Sequence, residues 1–84
     1  MKWSVRWQPA ARRDLSRLDA QIQERILDAV ERFAATGHGD VIRLQDVRPP
    51  EWRLRVGGWR VRFSRQDSEH VLDILRVLPR GKAY

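Results

Sequence analysis

Glu51-Trp52-Arg53-Leu54-Arg55-Val56-Gly57-Gly58-Trp59-Arg60-Val61-Arg62-Phe63 is the stretch that decides how this chain folds. Two alternating runs meet at a glycine pair, and Gly-Gly suits the two-residue primed turn of a β-hairpin, whose twist matches that of the flanking strands. Such a short loop sets the register: Val56 faces Trp59, Arg55 faces Arg60 and Arg53 faces Arg62. Successive side chains point to opposite sides of a strand. Trp52, Leu54, Val56, Trp59, Val61 and Phe63 therefore share one face, and the four arginines share the other. Like charges directly opposite one another destabilise a sheet by a few tenths of a kcal/mol up to roughly 1 kcal/mol. A chain that gathers four of them is expected to meet a polyanion on that surface.

Upstream of the hairpin, Trp3, Val5 and Trp7 alternate with polar residues and predict a first strand with one buried face. Pro9 suits the first turn of a helix over Ala10 to Leu18, with Leu15 and Leu18 on one side. Asp19 can cap a second helix, Ala20 to about Thr36, in which Ile22, Ile26, Leu27, Val30, Phe33 and Ala34 recur at three- and four-residue steps. Gly37 and Gly39 stop it. Val41 to Leu44 reads as a short strand, and Gln45 to Pro50 as a loop that the Pro49-Pro50 pair keeps out of a central sheet position. After a turn at Gln66, Asp67 and Ser68, Val71 to Leu78 is nearly continuously apolar, which predicts a central strand buried on both faces and ended by Pro79. The expected fold class is α+β: two N-terminal helices packed on a small twisted, mainly antiparallel β-sheet, with residues 1–84 forming one domain.

At 84 residues the chain can bury only a modest core. It has no cysteine, so disulfides and thiolate zinc sites play no part, and no stretch approaches the roughly 18 apolar residues of a membrane span. The opening residues carry no apolar signal core, and a cytoplasmic setting without membrane attachment is expected. The charge is unevenly placed. Residues 1–40 hold seven basic and six acidic side chains, a net of +1, whereas residues 41–84 hold ten basic and five acidic, a net of +5. Of the 17 basic residues 15 are arginine, whose planar fork grips phosphate oxygens bidentately and stacks on bases. The bias favours nucleic acid over a membrane surface, although an arginine-rich composition also follows from a GC-rich genome.

No Gly-rich phosphate loop, metal-ligand spacing or nucleophile–base pair is present, so neither a cofactor nor a metal is expected. His38 and His70 sit beside turns and read as solvated residues; Glu51 and Asp73 lack a recognisable catalytic partner and read as surface or structural residues. Trp3, Trp7, Trp52 and Trp59 read as core. What remains is a basic set, Arg53, Arg55, Arg60, Arg62, Arg76, Arg80 and Lys82, together with Tyr84. Cleavage of RNA by its own 2′-hydroxyl passes through a phosphorane-like state with extra negative charge on the phosphoryl oxygens, and preorganised guanidinium groups stabilise that charge. Dense positive charge favours a phenolate, so Tyr84 is a candidate base. The residues alone leave a passive anion-binding surface open as well.

The chain resembles the RelE/ParE superfamily of bacterial toxins from toxin–antitoxin pairs. The resemblance rests on "WSVRWQPAARRDLSRLD", "RLQDVRPPEWRLRVGGWRVRF" and "ILRVLPRGKAY", above all on "RLRVGGWRVRF" followed by Arg-x-x-x-Tyr at Arg80 and Tyr84. It implies the RelE-like fold described above and, in the nuclease branch, a ribosome-dependent endoribonuclease that cuts mRNA in the A site and leaves a 2′,3′-cyclic phosphate. Arg60, Arg80 and Tyr84 would then be catalytic, with Arg53, Arg55, Arg62 and Lys82 binding substrate. The implied partners are an acidic cognate antitoxin in a hetero-oligomer, the ribosome and mRNA. The superfamily also contains DNA gyrase inhibitors, and fold alone does not choose between the two. One departure matters: where the best-known nucleases place lysines before the turn this chain has Arg53 and Arg55, and arginine does not readily lose a proton to act as a base.

Overall fold

The hairpin forms in the expected register, with Val56 opposite Trp59, Arg55 opposite Arg60, Leu54 opposite Val61, Arg53 opposite Arg62 and Trp52 opposite Phe63. Gly57 takes φ 59° at the first turn position, where an L side chain would be strained, and a Cβ there would also meet the Arg25 guanidinium at 2.9 Å. The computed structural model of the protein describes residues 2–81. Its elements run β1 (Ser4–Trp7), α1 (Pro9–Ser16), α2 (Ala20–Thr36), β2 (Asp40–Arg43), β3 (Trp52–Val56), β4 (Trp59–Gln66) and β5 (Val71–Pro79).

Local chemistry explains both helices. Pro9 opens α1, where a missing N–H costs nothing. The Asp19 carboxylate accepts a hydrogen bond from the Ile22 N–H at 3.0 Å and so caps α2. Gly37 closes it at φ 78°, its N–H donating to the Phe33 carbonyl at 2.8 Å. Ile26, Val30 and Ala34 form the buried stripe of α2 and pack on Leu54, Val56, Val61, Phe63, Leu72, Ile74 and Val77 from the sheet. The four tryptophans are only partly buried, and each packs against that core as the sequence predicts.

The sheet order is β1-β5-β4-β3-β2, with β1 parallel to β5 and every other pair antiparallel. This is the two-helix, mainly antiparallel architecture expected. β5 is central in that β1 and β4 flank it, as expected, but its burial on both faces holds only over the first half, where Leu72, Asp73 and Ile74 are buried; Arg76 and Pro79 beyond them are exposed. Phe63 pairs with Ile74 but Arg62 pairs with Arg76, so Leu75 has no partner and the ladder bulges there. The extra residue shifts the phase of the alternation, which places Leu72, Ile74 and Val77 on the core side at an uneven spacing. The apolar run in the sequence is the trace of this bulge, while Asp73 and Leu78 lie on the opposite face across from Ser64 and Arg60.

Because β1 is four residues and β5 nine, the second half of β5 extends past its parallel neighbour. Helix α1 covers that edge. The Gln8 N–H donates to the Ile74 carbonyl at 2.9 Å, and one Asp14 carboxylate oxygen accepts from the Val77 N–H at 2.9 Å and from Arg76 Nε at 2.7 Å. A side chain thereby supplies the acceptor that a strand would have provided. A second acid ties β1 to β5: Asp73, 5 % exposed, accepts from Arg6 Nε at 2.6 Å, from Gln8 at 3.0 Å and from Gln66 at 3.2 Å.

Both carboxyls titrate below their ordinary range. For Asp73 the Arg6 hydrogen bond is the main cause and outweighs burial, with Gln66 and Gln8 adding to it. For Asp14 burial alone would raise the value, but the bonds from Arg76 and the Val77 N–H together overcome it. A depressed folded-state value means that both groups stabilise the fold above the ordinary carboxylate range, near pH 4, and that this contribution drains away as pH falls through the lower folded values. Urea-unfolding free energy is therefore expected to be flat above about pH 5 and to fall steeply below about pH 4, with Asp73→Asn flattening the acid limb. Asp14→Ala leaves the Val77 N–H without its acceptor, and a loss of about 1–3 kcal/mol in the same urea titration at neutral pH is expected. An unchanged midpoint would show that water replaces the carboxylate without cost.

Candidate functional site

Cross-strand pairing brings Arg53, Arg55, Arg60 and Arg62 onto the sheet face opposite the helices. The surface is less naked than the sequence implies, because acids and carbonyls take up part of its charge. Arg62 donates to the Glu51 carboxylate at 2.5 Å. Asp40, across from Arg55 on β2, lies 3.7 Å from Arg53 and 4.0 Å from Arg55. Arg60 is 8 % exposed, and its Nη1 donates to the Gly57 and Trp59 carbonyls, both at 3.1 Å. Its guanidinium is therefore clamped to the turn that begins its own strand. These contacts answer how a sheet tolerates paired arginines: each repulsive pair includes at least one member held by an acceptor of its own.

The four differ in how they meet solvent. Arg55 has about half of its side chain exposed, 52 %, whereas Arg53 shows only 12 %. The Nε atoms of Arg53 and Arg62 are buried with no hydrogen-bond partner among the described residues. Arg80 is exposed, and its backbone N–H donates to the Gly58 carbonyl at 2.9 Å. That bond brings the chain after β5 back to the hairpin turn, beside Arg60 and Arg55. Lys82 and Tyr84, the other two expected site residues, lie outside the described residues. Arg76, the remaining member of the basic set, turns away to Asp14.

Three features were not foreseen from the residues. Asp40 and Glu51 as counterions could have been read from their place beside the arginine runs once β2 was paired antiparallel to β3. Asp73 within an apolar strand signals a buried acid, but its partner Arg6 becomes visible only when β1 is known to lie parallel to β5. Arg65 leaves the polar face altogether. It lies across from Leu72 on the helix side, with its guanidinium 5.1 Å from the Trp3 ring centre and 5.3 Å from that of Trp52. His38 and His70 are exposed and far apart in the chain, and among the described residues no three His, Cys, Asp or Glu side chains converge. No helix of the described residues is long and apolar enough to cross a membrane.

Chemically, the turn end of the sheet offers one guanidinium anchored by hydrogen bonds, Arg60, and two exposed ones, Arg55 and Arg80, around a concentration of positive charge. That arrangement suits a phosphodiester backbone better than a single small anion.

Comparison with known proteins agrees with this architecture. A chain of the archaeal RelE–RelB complex from Pyrococcus horikoshii OT3 is 26 % identical and superposes with a TM-score of 0.80 over 99 % of this chain and 100 % of that one. A chain of the RelBE2 toxin–antitoxin complex from Mycobacterium tuberculosis is 25 % identical, with a TM-score of 0.74 over 95 % of this chain and 100 % of that one. A mutant of the E. coli toxin RelE in the free state shares the fold at 14 % identity, with a TM-score of 0.68 over 99 % of this chain and 88 % of that one. No curated protein matches the chain by sequence. The family model described as the ParE toxin of the type II toxin–antitoxin system, parDE, matches residues 5–84, nearly the whole length. With its fold and its family match in agreement, the chain belongs to the ParE toxin family, within the RelE/ParE superfamily of type II toxin–antitoxin toxins.

Proposed function

We propose that this toxin is a ribosome-dependent endoribonuclease that cuts mRNA in the A site without a metal or cofactor, by attack of a 2′-hydroxyl on the adjacent phosphate. The observation that carries the reading is the clamped Arg60 beside the exposed Arg55 and Arg80 at one end of the sheet. In the reaction the 2′-oxygen bonds to phosphorus, the P–O5′ bond breaks, and the products are a 2′,3′-cyclic phosphate and a free 5′-hydroxyl. The 2′-hydroxyl gives its proton to a base, for which Tyr84 is the candidate, and the departing 5′-oxygen takes one up. Arg60 holds the scissile phosphate; its anchoring to the turn carbonyls means that little reorganisation is needed when charge builds on the phosphoryl oxygens. Arg80 stabilises that charge or the leaving group, and Arg53, Arg55, Arg62 and Lys82 bind the backbone.

Between synthesis and action such a toxin is held inactive by a cognate antitoxin in the cytoplasm. The RelE–RelB and RelBE2 structures it resembles are themselves toxin–antitoxin complexes, which supports a hetero-oligomer here. An acidic partner fits the net charge of +6.

A second reading, inhibition of DNA gyrase, is favoured by two observations: the matching family model is that of ParE, and Glu51 already satisfies Arg62. Primer extension on mRNA after induced expression separates the two. Cuts at codon positions are expected for the wild type, and Arg55→Ala, Arg80→Ala and Tyr84→Phe should each reduce cleavage, by about 10²–10³-fold for a group that contacts the transition state. Arg60→Ala is a poorer probe, since it also removes two turn hydrogen bonds. Intact mRNA during growth arrest, with gyrase supercoiling lost, would overturn the nuclease reading in favour of the other.

A further inference from the structure

On the helix side of the sheet, at the end remote from Gly57 and Gly58, basic and aromatic side chains alternate in a continuous row. Arg43 lies 5.9 Å from the Trp52 ring centre, Arg65 lies between Trp52 and Trp3 at 5.3 and 5.1 Å, and Trp3 stands 5.0 Å from His70. Arg60 and Arg65 are separated by about 16 Å along β4 at about 3.3 Å per residue, and their side chains point to opposite faces. The row is thus distinct from the arginine face. Beside it opens a cleft of about 240 Å³ walled by Trp3, Phe33 and Leu72, with Arg65 at its rim.

We propose that this cleft is a stacking site for one unpaired base of single-stranded nucleic acid, with the flanking phosphates held by Arg65 and Arg43. The wall chemistry selects that occupant. Indole and phenyl faces with a planar cation at the rim favour a flat heteroaromatic ring joined to an anion. Several polar groups of the lining are engaged within the protein: the Thr36 hydroxyl donates to the Arg32 carbonyl and accepts from the His38 N–H, and the backbone N–H groups of Trp3 and Gly37 donate to the Ala34 and Phe33 carbonyls. Stacking uses the ring face that every base has, so binding tolerates changes of sequence and of sugar. The neighbouring acid Asp67 reaches Arg65 at 3.2 Å but is itself 76 % exposed, and a solvated pair of this kind yields readily to a phosphate. The site does not depend on whether the toxin cuts RNA, and it gives a nucleic-acid strand a second hold outside the arginine face.

Tryptophan fluorescence and the anisotropy of a short fluorescein-labelled oligouridylate test it, with oligodeoxythymidylate as the second arm. Both strands are expected to bind with saturable tryptophan quenching, and uridine monophosphate should compete for the quenching where ribose 5-phosphate does not. Arg65→Lys keeps the charge but removes the planar fork, so affinity for both strands should fall about tenfold; Arg43→Gln should cost a few-fold, with far-UV circular dichroism unchanged in both variants. Equal competition by ribose 5-phosphate would reduce the site to a phosphate contact and overturn the stacking claim. Full affinity in Arg65→Lys, or weakened binding of an acidic peptide by the same variant with nucleic acid unaffected, would overturn it in favour of no site or a protein site.

Discussion

The turn at Gly57 and Gly58 holds the rest of the molecule in phase. A slip of one residue in the β3–β4 register would invert one strand against the other, turning either Arg53 and Arg55 or Arg60 and Arg62 into the core and that strand's apolar residues out to solvent. The turn does more than set register. Its carbonyls accept from the Arg60 side chain and the Arg80 N–H, and Arg25 of α2 lies against Gly57. Core, basic surface and the chain leaving β5 all meet at a loop where only the first glycine has positive φ.

A concentration of arginines on one sheet face is a standing electrostatic cost, and the structure meets it by partial neutralisation. Glu51 takes Arg62, Asp40 shares itself between Arg53 and Arg55, and the turn takes Arg60. Partial neutralisation has a functional side, because a guanidinium held by protein acceptors keeps its position and loses less freedom when an anion arrives. The same contacts lower the charge on offer. Arg55 and Arg80, the exposed members, are left as the groups with most to gain from a phosphate backbone.

β5 is where distant parts of the chain are joined. Asp73 binds it to β1 through Arg6 and Gln8, and Asp14 binds it to α1 through Arg76 and the Val77 N–H. Buried carboxylates that accept several hydrogen bonds are well satisfied, and removing such an acceptor leaves donors orphaned. The bulge at Leu75 serves this arrangement by letting Ile74 and Val77 both face the core while Arg76 reaches Asp14.

Local information in the sequence determined a good deal: the hairpin and its register from Gly-Gly, the α2 cap from Asp19, its stop from Gly37, the core stripe from the spacing of Ile26, Val30 and Ala34, and the family from the arginine hairpin motif. Each depends on residues a few positions apart, where backbone preference and periodicity speak directly. The parallel pairing of β1 with β5, the bulge, the burial of Asp73 and the counterions of the arginine face were decided only in three dimensions. Arg6 and Asp73 are 67 positions apart, and Asp14 and Arg76 are 62. Alternation of apolar and polar residues says which side of a strand faces inward but is silent on which strand lies alongside, and a neighbouring strand or helix is what turns an isolated acid into a latch and an exposed arginine into a clamped one.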